Sequence, residues 1–386
     1  MIIKVQKLAV LTMVLFGTGA VSPTGLAQNV TNTKRLAVEG KTAKLPYSYI
    51  ALTARLIGPA ISDPNWYNWD LSPIMGDDGK VHIFGCRWPK ADGMDGWTGP
   101  RAEIAHFVGD KPDGPFHYVG TVLRTDHLPD PASMVGPTNP RLEKVDGKYV
   151  LLFVAQNPRL HMKGQRVLMA IANKLEGPWT FAGDKGVVVQ PSKDPNHWTY
   201  QAAIGADNPA FLKIGNKYYI YFKCGMPQQM KAKYGYAVSD RLEGPYVLSD
   251  HPITDNVSYI EDAQAFSTSG QYFLLTTDNL GGNTGVYGDI ILWRSKTGLR
   301  FQLSDAEIAM GNILDYWGTE EQHKQLAQTS GHFDHDPSGK LERPAILQID
   351  GKPAYFYSAA DLNLNGGSVS ESYVFKIEWD GTDVLK

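Results

Sequence analysis

Five acidic or polar residues recur at one place in a repeated segment of this 386-residue sequence. Each lies at the start of an apolar stretch that leads into a Gly-containing turn and then a strand rich in aromatic and β-branched residues. Counted back from the turn glycine, they are Asp70, Thr138, Asp207, Glu261 and Glu342. A carboxylate at the start of a buried strand is costly to desolvate unless it is paired or used. Four carboxylic acids at one repeated position therefore indicate a shared site.

Several acids in one pocket repel each other, so their pKa values must separate. A separated set supplies one ionised base and one protonated acid at neutral pH. Those are the two groups that cleavage of a glycosidic bond requires.

The elements that position these acids are five hairpins, each with two short strands joined by a tight turn. Their second strands read VHIFGC after Gly79, KYVLLFVA after Gly147, KYYIYFKC after Gly215, QYFLLTTD after Gly270 and KPAYFYSA after Gly351. A second repeat, Gly-Pro-aromatic at Gly114, Gly177 and Gly244, follows a strand-like run and predicts the turn into an outer strand. Four strands per unit, repeated five times, predict an all-β, five-bladed β-propeller in one domain; a β-sandwich or β-helix is the alternative.

Composition narrows the classes of function. The net charge of −3 lacks the basic excess of a nucleic-acid binder, so no nucleic-acid partner is expected. After the first 27 residues no apolar run is long enough to span a membrane. The 9 Trp, 19 Tyr and 14 Phe suit a surface that stacks on sugars, because a sugar ring presents an apolar C–H face to aromatic rings.

The N-terminus has the pattern of a secretory signal peptide. Lys4 and Lys7 precede an apolar run, and Gly25 and Ala27 place small residues before a cut after position 27. We expect a cleavable signal at 1–27, an extension with a short helix at 28–65 and the propeller at 66–386. The mature protein is then secreted or periplasmic.

The sequence resembles the five-bladed propeller glycosidases of glycoside hydrolase family 43, with relatives in families 32 and 117. The resemblance runs from about Trp69 to the C-terminus, and its most specific part is the order Asp70, Asp207, Glu261 on blades one, three and four. It implies that Asp70 is the general base, Asp207 the residue that tunes the pKa of the acid, and Glu261 the general acid, with inversion at the anomeric carbon. It also implies an oligosaccharide or polysaccharide substrate of plant or algal origin and no organic cofactor.

The first motif departs from the family pattern, since Pro73 follows Asp70 by three residues, so Asp77 and Asp78 are fallback acids although a turn explains them better. In blade four, alternation along the strand directs Asp262 away from the channel, which favours Glu261. In family 117 a histidine has been taken as the acid, so the resemblance also makes rivals of three residues: His251, His332 and His335.

Further substrate-binding candidates surround these acids. They are Trp69, Trp88, Asn139, Gln201, Glu342, Arg343 and His335. A planar Arg343 guanidinium suits bidentate contact with a hydroxyl or carboxylate. His332 and His335 are weak metal candidates, and a structural calcium is possible by analogy with the family.

Two other functions fit the same features. A non-catalytic carbohydrate-binding propeller would keep the aromatic residues but has no need of three hub acids. A retaining hydrolase or transglycosylase of the family 32 type would use Asp70 as a nucleophile.

Overall fold

The chain folds into five antiparallel sheets, and the predicted five-bladed β-propeller is confirmed. The structure, a computed structural model, describes residues 44–226, 231–327, 339–360 and 371–379. The predicted signal peptide lies outside these residues, as do His332 and His335.

Each sheet contains four or five strands, and its three inner strands follow sequence order from the hub outwards. An N-terminal strand, β1 (Arg55–Ile61), precedes the blades. Blade one holds β2 (Trp66–Met75), β3 (Val81–Pro89), β4 (Glu103–Gly109) and β5 (His117–Arg124). Blade two holds β6 (Val135–Val145), β7 (Lys148–Gln156), β8 (Gln165–Ala172), β9 (Thr180–Phe181) and β10 (Val187–Val189). Blade three holds β11 (Asp207–Ile214), β12 (Lys217–Gly225), β13 (Ala232–Ser239) and β14 (Val247–Leu248). Blade four holds β15 (Ile260–Thr268), β16 (Gln271–Asp278), β17 (Ile290–Ser295) and β18 (Glu307–Met310). Blade five holds β19 (Leu341–Ile349), β20 (Lys352–Ala360) and β21 (Glu371–Lys376).

The ring is closed by strands from the two ends of the chain. The innermost strands β2, β6, β11, β15 and β19 contact one another in turn, and β19 contacts β2. The N-terminal strand β1 pairs antiparallel with β21 and becomes the outermost strand of blade five. Part of the segment expected as an extension at 28–65 therefore belongs to the last blade.

Apolar clusters fill the spaces between neighbouring blades. Phe84 and Leu151 belong to the cluster between blades one and two, and Phe273 and Phe375 to the cluster between blades four and five. Because each middle strand is covered on both faces, strands such as β7 are apolar at almost every position rather than at alternate ones. Burial between blades explains the strand sequences that identified the repeat.

The turns have the positions and backbone conformations that their sequences predict. In the β6–β7 hairpin Asp146 and Gly147 both have positive φ, of 51° and 75°, which is the conformation that a tight Asp-Gly hairpin turn needs. The three Gly-Pro repeats, each with a cis peptide bond, lead into the outer strands β5, β9 and β14. The predicted turns into the outer part of a blade are therefore where the sequence placed them.

Helices are few in the described residues. Helix α1 (Tyr49–Thr53) lies in the segment 28–65, where a short helix was predicted, and helix α2 (Glu320–Ala327) lies between blades four and five. No helix in the part of the chain that the structure describes has the length and apolar character of a membrane span. Cys86 and Cys224 are buried free thiols.

Candidate active site

One end of the central axis opens into a cavity of about 310 Å³. Its walls come from strands of blades one, three, four and five and from loops that follow the second strand of a blade, with Met162 contributed by blade two. The lining residues are Trp69, Asp70, Trp88, Met94, Trp97, Met162, Asp207, Lys223, Glu261, Asn279, Tyr287, Lys340, Glu342 and Arg343. The cavity therefore brings together the three acids that the sequence singled out, with Trp69, Trp88, Glu342 and Arg343.

Every inner strand carries a β-bulge where it reaches this cavity. At each bulge two residues of the inner strand face one residue of the next strand, and the first of the two has positive φ. We call this first residue the bulge position and the residue before it the preceding position. The bulge positions hold Asp70, Asn139, Asn208, Asp262 and Arg343. The preceding positions hold Trp69, Thr138, Asp207, Glu261 and Glu342.

The bulges correct the register of Asp70. The sequence aligned Asp70 with Asp207, but Asp70 is at a bulge position and Trp69 takes the preceding position. The turn of blade one runs from Met75 to Val81 and is longer than the turns of the other blades, so counting back from its glycine misplaces the strand by one residue. Asp70 still lines the cavity.

Asp262 does not line the cavity, as the sequence predicted, but strand alternation is not the reason. Asp262 has φ 67°, which breaks the alternation of the strand. Its Oδ1 lies 2.6 Å from Nη1 of Arg343, and its Oδ2 accepts a hydrogen bond from Thr277 Oγ1 at 3.0 Å. Burial, together with the charges of Glu261 and Glu342, raises the pKa of Asp262 to about 7. Arg343 opposes this rise only in part.

Arg343 links the acids of blades one and four. Its Nε lies 3.0 Å from Asp70 Oδ1, and its Nη1 contacts Asp262. Neither nitrogen has the alignment of a hydrogen bond, so these are charge contacts. Burial raises the pKa of Asp70 and outweighs the opposing effect of Arg343 and Arg141.

Lys223 links the acids of blades three and four. Its Nζ lies 3.2 Å from Asp207 Oδ2 and 3.0 Å from Glu261 Oε2, and the lysine is 1% exposed. Burial alone would raise the pKa of Glu261, but Lys223, Arg343 and Lys340 outweigh burial and lower that pKa to about 2. The two acids are thus shifted in opposite directions: burial raises the pKa of Asp70, and the neighbouring cations lower the pKa of Glu261.

Several other predicted residues have clear positions. Asn139 is buried outside the cavity lining, and its Nδ2 donates to Asp207 Oδ1 at 2.7 Å. Glu342 accepts from Lys340 Nζ at 2.5 Å. Gln201 is exposed, contacts the Tyr200 hydroxyl at 3.3 Å and does not line the cavity.

The fallback acids serve the turn of blade one. Asp77 accepts from Lys144 and Tyr149 of the next blade, and Asp78 accepts from the backbone N–H of Lys80. His251 is exposed and is absent from the cavity lining.

Sequence reasoning missed the lysines. Lys223 and Lys340 line the cavity, as do Asn279 and Tyr287 from the loop region after β16. A signal for Lys223 was present, because a single Lys interrupts the apolar run Tyr218–Cys224 of β12. Lysine is rarely buried unless it is paired, so its place in such a strand indicates an acidic partner.

The described residues contain no group of three or more His, Cys, Asp or Glu side chains placed to hold a metal ion. His332 and His335 lie outside those residues, so the metal site stays a prediction.

No protein-family model matches the chain, and no curated protein matches it either. Solved structures do. A family 117 glycoside hydrolase of the marine bacterium Zobellia galactanivorans is similar with 15% identity and a TM-score of 0.59, over 87% of this chain and 93% of that chain. A GH43_1 enzyme from Xanthomonas citri is similar with 14% identity and a TM-score of 0.53, over 86% of this chain and 94% of that chain.

A third similar structure is a GH43 β-xylosidase/α-arabinofuranosidase from a compost microbial metagenome. It has 16% identity and a TM-score of 0.54, over 85% of this chain and 96% of that chain. The chain therefore shares the five-bladed β-propeller fold of glycoside hydrolases from families 43 and 117.

Proposed function

We propose that the protein is a glycoside hydrolase that cleaves a glycosidic bond in a plant or algal oligosaccharide or polysaccharide. One observation carries the proposal: Asp70, Asp207 and Glu261 meet in a single axial cavity beside the rings of Trp69 and Trp88. Carboxyl groups supply the acid and the base, and aromatic rings stack on the apolar face of a sugar.

The reaction needs a proton donor for the leaving oxygen and a base for the attacking water. The family resemblance assigns the base to Asp70, the acid to Glu261 and the tuning of the acid to Asp207, with inversion of the anomeric carbon. Each positioned acid or base contributes about 10²–10⁴-fold to the rate, so loss of either carboxyl should nearly abolish turnover.

The solved structures of similar fold support the substrate class. One GH43_1 structure from Xanthomonas citri is a complex with xylotriose, and the compost metagenome protein is named as a β-xylosidase/α-arabinofuranosidase. Pentose-containing chains are therefore the first substrates to test, together with marine polysaccharides, because the similar family 117 protein comes from a marine bacterium.

The test is hydrolysis of a panel of nitrophenyl glycosides and polysaccharides by the purified protein. Glu261→Gln should abolish release of sugar while sugar binding, measured by calorimetry, persists. Asp77→Asn is the matched control, because Asp77 is an exposed turn carboxylate remote from the cavity, and it should keep full activity. Binding without turnover in the wild-type protein would instead identify a non-catalytic sugar-binding propeller.

We also propose that the protein is exported by the signal sequence at 1–27. The support is the order of a basic start, an apolar run and small residues before position 28. A mature protein that begins at Gln28 in the periplasm or the culture medium is the expected result.

A further inference from the structure

One loop of blade four carries two of the residues that line the axial cavity. It joins β16 to β17 and runs from Asn279 to Asp289; we call it the 279–289 loop. It supplies Asn279 and Tyr287 to the lining. A glycine-rich segment loses much conformational entropy when it is held in one shape, so specific contacts must order this loop. Its glycines are Gly281, Gly282, Gly285 and Gly288.

The buried carboxylate of Asp278, directly before the loop, supplies such contacts. Its Oδ2 accepts hydrogen bonds from the backbone N–H of Asn283 at 2.9 Å and from that of Thr284 at 2.7 Å. Its Oδ1 accepts from Asn283 Nδ2 at 2.9 Å. Asn283 Oδ1 in turn accepts from the backbone N–H of Val257 at 2.8 Å, which ties the loop to the segment before β15. The middle of the loop is therefore held by one side chain at its start.

The residues equivalent to Asp278 in the other four blades are not acids. Each lies one residue after the cross-strand partner of the preceding position, and they are Arg87, Ala155, Cys224 and Ala360. A buried carboxylate at this point is therefore a feature of blade four alone, and it serves the 279–289 loop rather than the common blade structure.

Lys340 fixes both ends of the loop against blade five. Its Nζ donates to Asn279 Oδ1 and to Glu342 Oε1, and it lies 5.6 Å from the centre of the Tyr287 ring. Because a lysine has no acceptor, the Asn279 atom that faces it is the oxygen, and Asn279 Nδ2 is left to donate to a ligand. A Cβ at Gly288 would come within 2.5 Å of Lys340 Cγ, so glycine lets the loop approach the lysine this closely.

The loop begins beside Glu261. The backbone N–H of Asn279 donates at 3.1 Å to the carbonyl of Tyr259, two residues before Glu261. Thr277, two residues before Asn279, is the cross-strand partner of Glu261 in the β15–β16 ladder. In the mechanism proposed above, Glu261 gives its proton to the leaving oxygen. Groups fixed beside Glu261 are therefore on the side of the leaving group.

We propose that Asn279 and Tyr287 bind the leaving-group sugar of the substrate, and that Asp278 is a positioning residue that holds their loop in the binding shape. The proposal rests on the glycoside hydrolase function proposed above, and it narrows the substrates to glycosides whose leaving group is itself a sugar. The Asn279 amide donates to a hydroxyl of that sugar, and the Tyr287 ring packs on its apolar C–H face. Asp278 does not line the cavity and acts only through the loop.

Two substrates with the same glycone test the contacts. One is an oligosaccharide from the polysaccharide that the wild-type protein hydrolyses fastest, and the other is the matching glycosyl fluoride, which has no leaving sugar. Tyr287→Ala and Asn279→Ala should each raise KM for the oligosaccharide about ten-fold with a smaller change in kcat, and should leave KM for the fluoride within about two-fold. Tyr118→Ala, at an exposed tyrosine outside the cavity lining, is the matched control and should behave as the wild-type protein does.

Two results would overturn this assignment. The first is an equal change, or no change, of KM for both substrates in Tyr287→Ala and Asn279→Ala. The second is a wild-type protein that hydrolyses nitrophenyl glycosides but no oligosaccharide.

The positioning role is tested by Asp278→Asn. An amide accepts at one atom only, so in either orientation it places an N–H group against a loop donor. We expect the same rise in KM as in Tyr287→Ala, and the double variant should exceed either single variant by no more than about two-fold, because both changes remove the same contact. Additive rises would show that Asp278 does not act through Tyr287. Asp255→Asn is the control, because Asp255 accepts from the backbone N–H of Leu303 at 2.6 Å outside the cavity lining.

Hydrogen exchange needs no activity and so distinguishes failure of this inference from failure of the proposed function. The backbone N–H groups of residues 283 and 284 donate directly to Asp278, and both should exchange at least about ten-fold faster in Asp278→Asn, while those of β7 keep the wild-type rate. If they do so while no glycoside is cleaved, the ordering role of Asp278 stands and the hydrolase proposal falls. Equal exchange in both proteins overturns that role. Asn283→Ala, which removes one of the three donors, takes the place of Asp278→Asn in both experiments if that variant does not fold.

Discussion

Trp69 occupies in blade one the position that Asp207 occupies in blade three. Each residue comes directly before the bulge of its inner strand, and each is paired across the ladder, Trp69 with Cys86 and Asp207 with Lys223. The hub is therefore not a ring of equivalent acids. One side of the cavity is aromatic and the other charged, which matches a sugar ring with an apolar face and a hydroxyl edge.

The aromatic side predicts a role for Trp69 in binding rather than in proton transfer. Trp69 packs on Trp88 with ring centroids 6.4 Å apart and is 5% exposed. We expect Trp69→Ala to raise KM for the sugar by about ten-fold or more with a smaller change in kcat, because it removes apolar stacking area. Trp69→Phe keeps a ring and should have an intermediate KM.

Stability provides the control for Trp69. Truncation of a buried Trp costs about 3–5 kcal/mol of unfolding free energy, so urea unfolding must show that Trp69→Ala is folded under the assay conditions. A folded Trp69→Ala with the wild-type KM would contradict the stacking role.

The hydrogen bond from Asn139 predicts a second effect on the site. Asn139 Nδ2 donates to Asp207 Oδ1 at 2.7 Å, and Asn139 has φ 52°. Glycine accepts that φ without strain, so Asn139→Gly removes the hydrogen bond and little else. A hydrogen bond to a charged group is worth about 1.5–3 kcal/mol, so we expect a fall in kcat/KM of about ten-fold or more. Unchanged kcat/KM in Asn139→Gly would show that Asp207 does not need this donor.

The fold was predictable because its information is local and repeated. Each hairpin carries its own apolar strand and its own turn, so five copies in the sequence are visible without any long-range contact. The closing strand β1 was not predictable in this way, because it has no hairpin partner and pairs with Tyr373 and its neighbours more than 300 residues later. Ring closure is a property of the whole chain, and no local pattern in Arg55–Ile61 reports it.

The site was predictable only to within one residue. The repeat identified Asp207 and Glu261, but a β-bulge changes the direction of a side chain without leaving a mark in the apolar pattern. For this reason Asp70 was placed one position too early in its blade, and the strand alternation assumed at Asp262 does not hold. The lowered pKa of Glu261 could not be predicted from the sequence, because it depends on Lys223, which a strand of another blade supplies.

A buried histidine pair in blade one predicts a loss of stability in acid. His106 Nε2 lies 2.8 Å from His82 Nδ1, and burial together with the charge of His82 lowers the pKa of His106 from 6.5 to about 4. As the pH falls below 6.5, the unfolded chain binds this proton first, so stability is lost between about pH 6.5 and 4. A shift of this size costs at most about 3 kcal/mol of unfolding free energy.

The measurement is urea unfolding at about pH 7.5 and about pH 4.5. His106→Gln cannot titrate and keeps a polar group beside His82, so it should lose about 2 kcal/mol less than the wild-type protein between the two conditions. Equal losses in both proteins would mean that His106 does not titrate with folding.

Glu143 predicts a loss of stability as the pH rises, which is the opposite direction from the effect of His106. It lines a second cavity, of about 260 Å³, at the other end of the central axis. Counted from the bulge, the same position in the other inner strands is apolar; it holds Ile74, Leu212, Phe266 and Leu347. Burial raises the pKa of Glu143 from 4.5 to about 8, and Arg141 only partly opposes this.

A raised carboxyl pKa makes the folded protein hold a proton that the unfolded chain releases. This contribution to stability is complete below about pH 4.5 and is lost as the pH rises through 8. Because water reaches part of the side chain, we expect a loss of about 1–3 kcal/mol of unfolding free energy rather than the full value of the shift.

The stability of Glu143→Gln should be less sensitive to pH between about 5 and 9. Glu143→Leu restores the residue type of the other blades, and its stability should exceed that of the wild-type protein most strongly near pH 9. Urea unfolding across this range measures both effects. Parallel pH curves for the three proteins would show that Glu143 is ionised in the folded protein and that its apolar neighbours do not control it.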